Sequence, residues 1–279
     1  MSYKIVVDSC GELPKRCKAD PHFESVPLVL DIDGYLVTDD ETFDQADFLR
    51  RVAASPNCPK SSCPSPERYL QAYDCEAEHV YAVTLSAELS GSYNSAELGK
   101  KLYEEEKGSK DIYVFNSRSA SIGETLIALK IEECEKAGMG FQEVVDTVEA
   151  YIEAQHTYFV LESLEALRKN GRLSNLKAFV ANALNIKPVM GSTPQGTICQ
   201  LDQARGMNRA LKKMVDYIVG GLKDPGEKIL AISHCNCPER AEMVKQMILS
   251  RVSVKDVIVL DTAGVSSLYA SDGGVIVVV

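Results

Sequence analysis

The sequence predicts an α/β fold in two domains, an N-terminal Rossmann-like parallel sheet with flanking helices and a C-terminal mixed α/β domain. Three observations carry that expectation. Short apolar runs alternate with helical patterns, loops of small polar residues follow several of those runs, and the alternation resumes in the last third after a basic stretch. At 279 residues the chain exceeds the usual single-domain size, and the division is placed at 1–157 and 158–279.

Taken in order, Lys4-Ile5-Val6-Val7, Val80-Tyr81-Ala82-Val83 and Ile112-Tyr113-Val114-Phe115 read as buried parallel strands. Between and after them, Ser92 to Glu105 and Thr125 to Lys136 read as helices, the second stopped by Gly138. From Phe141 to Ala154 a further helix sets Phe141, Val144, Val145, Val148, Tyr151 and Ile152 on one face, which should cover one side of the sheet. Tyr158 to Leu161 begins the second domain as a strand. Strand Ile229 to Ser233, helix Pro238 to Leu249, strand Val257 to Leu260 and a terminal strand Gly274 to Val279 complete it. The run Val275 to Val279 is apolar enough that a free edge there would invite aggregation, so it is expected inside a sheet.

Composition narrows the function classes. With 45% hydrophobic and 25% charged residues, the chain can bury a core and is not of disordered type. Met1 to Val7 offers too short an apolar run for a signal peptide and no later stretch approaches a membrane span, so a cytoplasmic protein without stable membrane insertion is expected. Nine cysteines is an odd number in a chain too large to need stapling, which favours reduced thiols. Cys235-Asn236-Cys237 has only His234 beside it and no second ligand pair at zinc spacing, so no metal is expected. A net charge of −10 disfavours nucleic acid as a partner. The charge is uneven. Leu161 to Val215 carries nine Lys or Arg against three acids, a +6 segment that suggests a positive surface for a phosphate or an acidic partner.

The chain lacks a P-loop, a Gly-x-Ser-x-Gly elbow and a His-Glu-x-x-His helix. Gly138-Met139-Gly140 is no dinucleotide fingerprint, since Glu143 stands where the third glycine belongs and a helix precedes it. Four loops concentrate small polar residues: Asp8 to Pro14, Lys60 to Pro66, Leu85 to Ala96 and Asn116 to Gly123. The first, third and fourth follow predicted strands. Because the carboxyl ends of parallel strands face the binding crevice, these loops should converge on one site, where hydroxyls and backbone amides could hold an anionic oxygen.

These loops and the motifs after them resemble the DegV family of fatty-acid-binding proteins. The resemblance is carried in order by Asp8-Ser9 with Glu12-Leu13-Pro14, Val26-Pro27-Leu28, Lys60-Ser61-Ser62-Cys63-Pro64-Ser65 and Thr84 to Ala96. Leu167-Arg168-Lys169-Asn170-Gly171-Arg172-Leu173-Ser174, Leu184-Asn185-Ile186-Lys187-Pro188 and Ala204-Arg205-Gly206 follow. What it implies is a soluble, non-enzymatic carrier with the acyl chain buried in one domain and the carboxylate held near the domain interface. The ligand would be a long-chain fatty acid of palmitate or stearate size, with no other cofactor. At about 0.8 kcal/mol per buried methylene, a chain of about sixteen carbons supplies on the order of 10 kcal/mol, against several kcal/mol for taking the ion out of water. The head group must therefore be paired.

Head-group ligands implied by the resemblance fall on Ser61, where threonine is usual, and on Ser90. Ser62, Gly91 and Ser92 are the neighbouring donors. At the C-terminus the family carries a His in a Gly-x-His-x-Gly-Pro-Gly stretch, and the matching position here is Tyr269 in Ser267-Leu268-Tyr269-Ala270-Ser271-Asp272-Gly273. A phenol can donate a hydrogen bond but brings no positive charge at neutral pH. It could equally be a packed aromatic at a strand turn. Some family members present the acid to a separate fatty-acid kinase with help from an Arg that matches Arg205. The Lys expected two residues earlier is Gln203. Two other readings stay open: a regulatory module for another small carboxylate or phosphate, and a serine acyl hydrolase using Ser61 or Ser90. The hydrolase needs a base, and His22, His79, His156 and His234 all lie outside the matching loops.

Overall fold

A computed structural model describes residues 2–173 and 185–279. The chain runs β1 (Tyr3–Asp8), α1 (Lys15–Lys18), β2 (Phe23–Val26), β3 (Val29–Ile32), β4 (Tyr35–Thr38), α2 (Gln45–Ala54), β5 (Lys60–Ser62), α3 (Pro66–Tyr73), β6 (His79–Thr84), α4 (Ser92–Lys107), β7 (Asp111–Asn116), α5 (Ile122–Lys136) and α6 (Phe141–Glu153). It continues with β8 (Thr157–Val160), α7 (Glu165–Lys169), β9 (Ile186–Ser192), β10 (Ile198–Arg205), α8 (Met207–Gly221), β11 (Ile229–His234), α9 (Pro238–Leu249), β12 (Asp256–Asp261), α10 (Gly264–Ala270) and β13 (Val275–Val278). Ser174, Lys177 and Leu184, which fall in the motifs and the basic segment, lie outside the described residues.

Three sheets result. The first, in the order β2-β1-β6-β7, is wholly parallel, as runs buried on both faces require. The second, β10-β9-β8-β13-β11-β12, is mixed, and all its strands follow residue 156. Its central strand β13 is antiparallel to both neighbours, pairing Val275 with Val160 on one side and with His234 on the other. The apolar C-terminal run is thus interior to a sheet. A third, antiparallel sheet, β4-β3-β5, was not foreseen; it pairs Leu30 with Ser61 and Val29 with Ser62, so the Lys60-Ser61-Ser62 stretch is a short strand rather than a loop.

The helices close where local chemistry allows. Asp44 caps α2 by accepting from Asp47 N at 2.9 Å, Pro66 opens α3, and Gly206 at φ +86° turns the chain from β10 into α8. Most of α5 is buried, because it has two apolar faces. Ile127, Ala128 and Ile131 pack with Ile5, Tyr81 and Val83 of the parallel sheet, while Ile122 and Leu126 pack with Ala231 and Val278 of the mixed one. One helix therefore serves as core for both sheets. Leu126→Ala and Ile131→Ala, on its opposite faces, should each cost about 2 to 5 kcal/mol, and in both variants urea unfolding should remain a single transition by circular dichroism.

Candidate functional site

Between the parallel and mixed sheets lies a cavity whose lining is almost wholly apolar, as small-molecule sites usually are. Three of the four polar loops line it directly: Cys10 from the first, Leu85 and Leu89 from the third, and Arg118 to Ser121 from the fourth. The opposite wall comes from Thr157, Phe159 and Leu161, alternate residues along and just past β8, with Ile276 of β13 and Ile198 of β10. From Thr157 to Leu161 the wall extends about 13 Å at roughly 3.3 Å per residue.

Many of these residues are polar, yet the wall is apolar, because the hydroxyls are used up within the protein. Ser119 Oγ lies 2.6 Å from Thr157 Oγ1, and Ser86 Oγ donates to Gly196 O at 2.9 Å, tying the β9–β10 turn to the parallel sheet. Ser121 Oγ donates to Glu12 and lies 2.7 Å from Ser233 Oγ. Ser266 Oγ donates to the carbonyl of Cys10 at 3.2 Å. Their carbon atoms face the space.

One end of the cavity carries a polar cluster. Ser61 Oγ and Tyr269 Oη are 3.0 Å apart, and the Arg172 guanidinium lies over the Tyr269 ring at 5.6 Å. Arg172 Nε donates to the carbonyl of Leu89 at 3.1 Å, and its Nη1 to that of Asn170, which fixes the guanidinium against the loop leading to Ser90. Burial pushes the Tyr269 phenol above its usual range, and the Ser61 hydroxyl and the Arg172 charge pull it part-way back. It stays a neutral donor.

Each expected ligand residue has a definite place. Ser61, half-buried, faces Tyr269, whereas Ser62 is the next residue of a strand, points the other way, and is exposed with its hydroxyl 3.4 Å from Val29 O. Ser90 and Gly91 lie at the entrance to α4. Ser90 Oγ accepts from Ser92 N at 3.2 Å and keeps its own proton to donate. Ser92 is fully buried, so its side chain lies beneath this site rather than in it. Tyr269 sits near the end of α10, not at a strand turn, and packs among Leu161, Leu167 and Leu268 while its hydroxyl meets Ser61.

Arg172 and the cavity-lining residues of the mixed sheet escaped the site expectation; Arg172 stood in a quoted motif, but only the fold shows it against Tyr269. The placement of α10 depends on Asp39, which is buried and accepts from Gly264 N at 2.6 Å and Val265 N at 2.9 Å at the helix start. Gln45 Nε2 adds a bond to Thr262 O at 2.9 Å.

Arg205 ends β10, exposed and away from the cavity lining. Much of the surrounding positive charge is already matched. Arg168 and Lys169 pair with Glu165, Lys187 with Glu162, and Lys213 with Asp202. Arg205, Arg209 and Lys212 have no ion pair among the described residues. All nine cysteines are unpaired thiols, and among the described residues no three His, Cys, Asp or Glu side chains gather as a metal set. No helix among them is long and apolar enough to cross a membrane. His79, the buried histidine nearest the parallel sheet, is bonded to Glu135 at 2.7 Å, while the hydroxyls of Ser61 and Ser90 meet Tyr269 and the Ser92 amide. Among the described residues no base is hydrogen-bonded to either serine.

Fold and site together define an α/β binding protein with an apolar chamber between two sheets and one polar end. The model of a family described as "Uncharacterised protein, DegV family" matches residues 2–279, and the chain belongs to the DegV family. A DegV domain-containing protein of Streptococcus pyogenes serotype M1 is 35% identical over 283 residues, covering 99% of this chain and 98% of that protein. Among solved structures, a DegV-family protein from Ruminococcus gnavus refined with vaccenic acid is 61% identical, with a TM-score of 0.98 and all of both chains covered. The Streptococcus pneumoniae Fatty Acid Kinase (Fak) B3 protein loaded with linoleic acid is 32% identical, with a TM-score of 0.90, covering 100% of this chain and 99% of that one.

Glu12, buried behind the lining residue Ser121, is pushed up to about 7 by burial, with the Ser266 and Ser121 hydroxyls holding it back. Its folded value lies above its ordinary value of 4.5, so its contribution to stability is fully present below about pH 4.5 and is lost as pH rises to about 7. Relative to Glu12→Gln, the wild type should lose on the order of 3 kcal/mol across that window and then stay level. Urea midpoints of the two proteins measured between pH 4 and 8 check this.

Proposed function

We propose that the protein is a carrier of a long-chain fatty acid, with the acyl chain in the inter-sheet cavity and the carboxylate at the Ser61–Tyr269–Arg172 end near Ser90 and Gly91. The observation that carries this reading is the cavity itself: polar residues turn their hydroxyls into the walls and leave carbon around the space, while donors gather at one end. Such a chamber suits a ligand with one charged end. Arg172 supplies a cation beside Tyr269, where the family has its His, so the carboxylate need not rely on hydroxyls alone. The relatives loaded with vaccenic and linoleic acids support the ligand class. The reading divides the chain at 1–157 and 158–279, supported by every strand of the mixed sheet beginning at or after Thr157, with the acyl chain held between the two parts. It places the protein in the cytoplasm.

Presentation of the bound acid to a fatty-acid kinase belongs to the same proposal. Its support is the likeness to the Fak B3 protein and the exposed Arg205, with Arg209 and Lys212 following on α8. A regulatory module for a small carboxylate would have no use for so long an apolar chamber, and a hydrolase would need a base beside its serine.

Native mass spectrometry of the protein as purified, followed by organic extraction, should return one acyl chain per protein. Thermal-shift titration with saturated acids of increasing length should give a stabilisation that rises and then breaks off where the chain outgrows the cavity. A clean protein with a flat response would instead favour the small-carboxylate module. Ser61→Ala and Ser90→Ala should each weaken acyl binding by about 1 to 3 kcal/mol without unfolding the protein. Arg205→Ala should leave binding, read by fluorescent-ligand displacement, nearly intact and slow phosphorylation by a cognate kinase.

A further inference from the structure

Beneath the start of α4 lies a set of polar atoms that neither the cavity walls nor the head-group cluster uses. Asp8, at the end of β1, and Glu124, in the first turn of α5, are both wholly buried. Asp8 accepts from Leu85 N at 2.8 Å and from Cys10 N at 3.1 Å, which fixes it under the loop that leads to Ser90. Around it stand four buried oxygens that no donor or acceptor of the usual kind satisfies: both carboxyl oxygens of Glu124, Ser92 Oγ and Tyr69 Oη. Ser92, Tyr69 and Glu124 are each wholly buried. Unmatched buried polar atoms are rare enough that four around one carboxylate call for a physical reason.

Charge supplies it. No Lys, Arg or His among the described residues forms an ion pair with Asp8 or Glu124, and two neighbouring carboxylates wholly buried inside a protein cannot both ionise cheaply. One proton removes the charge conflict and makes Glu124 a donor to Asp8 beside it, which matches one of the four oxygens. Burial first, and then the charge of Asp8, push Glu124 well above its ordinary range. Asp8 is itself raised by burial, while the Leu85 amide holds it back. The other titratable groups facing the pair are Cys10 and Glu12 after β1, Asp39 after β4 and Tyr69 on α3.

We propose that Asp8 and Glu124 hold one proton between them at neutral pH and act as positioning residues for the α4 entrance, anchoring it from below while placing a single negative charge under the ligand carboxylate. The effect on ligand rests on the fatty-acid reading above; the shared proton does not. Glu124 then carries a fixed proton in a helix whose remaining buried groups are largely apolar. Its loss would put a second charge beneath an anion.

Infrared spectroscopy of the full-length protein tests the proton directly. At about pH 8.5, Asp39, at about 6, and Glu12, at about 7, are ionised. A protonated-carboxyl C=O band should persist there, disappear at higher pH, and be missing in Glu124→Gln. The absence of that band in the wild type would overturn the shared proton. The positioning role is tested with oleate, which is ionised throughout this range. Wild-type affinity should fall about tenfold as the band disappears, the order expected of one added charge nearby, while Glu124→Gln should hold its affinity. Parallel losses in the two proteins would overturn the positioning role. Should Glu124→Gln fail to fold, the wild type alone decides: the midpoints of band loss and affinity loss must coincide, and separate midpoints overturn the proposal. A protein that binds no oleate at any pH would sink the fatty-acid reading and leave the infrared result standing by itself.

Discussion

The burial of α5 between two sheets is the constraint on which the rest of this structure depends. A helix packed on one side could leave its other face to solvent, but Ile122, Leu126, Ile127 and Ile131 commit this one to both layers. The parallel and mixed sheets must then sit a helix apart, and where α5 ends at its N-terminus that separation is left unfilled. The cavity occupies that gap. Arg118 to Ser121, the segment that leads into α5, line it, so the same element sets the spacing of the layers and one wall of the chamber.

The chamber stays apolar without being built from apolar residues alone. Serine and threonine line much of it, and several pair across the sheets: Ser119 with Thr157, and Ser121 with Glu12 and Ser233, while Ser86 beside them bonds Gly196. These bonds satisfy groups that would otherwise be costly to bury and also tie the two layers together. The lining of the chamber and the architecture are therefore coupled. A ligand that fits the space meets carbon, and a ligand that disturbs the walls breaks cross-layer hydrogen bonds.

Much of this was legible in the sequence, and the exceptions have physical causes. Lys4 to Val7, Val80 to Val83 and Ile112 to Phe115 are buried on both faces, so composition alone marks them as strands. The helix Phe141–Glu153 has one buried face and shows it in its spacing. The antiparallel β4-β3-β5 sheet was invisible because Tyr35 and Leu36 are exposed and Lys60 to Ser62 is short and polar, leaving no apolar alternation to read. Helix α8 did carry a signal, Ala210, Leu211, Met214, Val215 and Ile218 on one face, but the segment drew attention for its charge. In the site, Ser61, Ser90 and Tyr269 were reachable through motifs. The division of labour between Ser61 and Ser62 follows from strand alternation, which requires knowing that the stretch is a strand. Arg172 meets Tyr269 only through the fold, across nearly a hundred residues of sequence.

The central place of β13 in the mixed sheet bears on how the chain is made as well as how it stands. Strands β8 and β11 do not touch each other; both hydrogen-bond to β13, which is synthesised after them. While the chain is still on the ribosome, the parallel sheet can assemble, yet β8 and β11 wait with open edges until residues 275–278 emerge. The chamber's far wall is therefore among the last parts to close. Until then the pocket is open along one side.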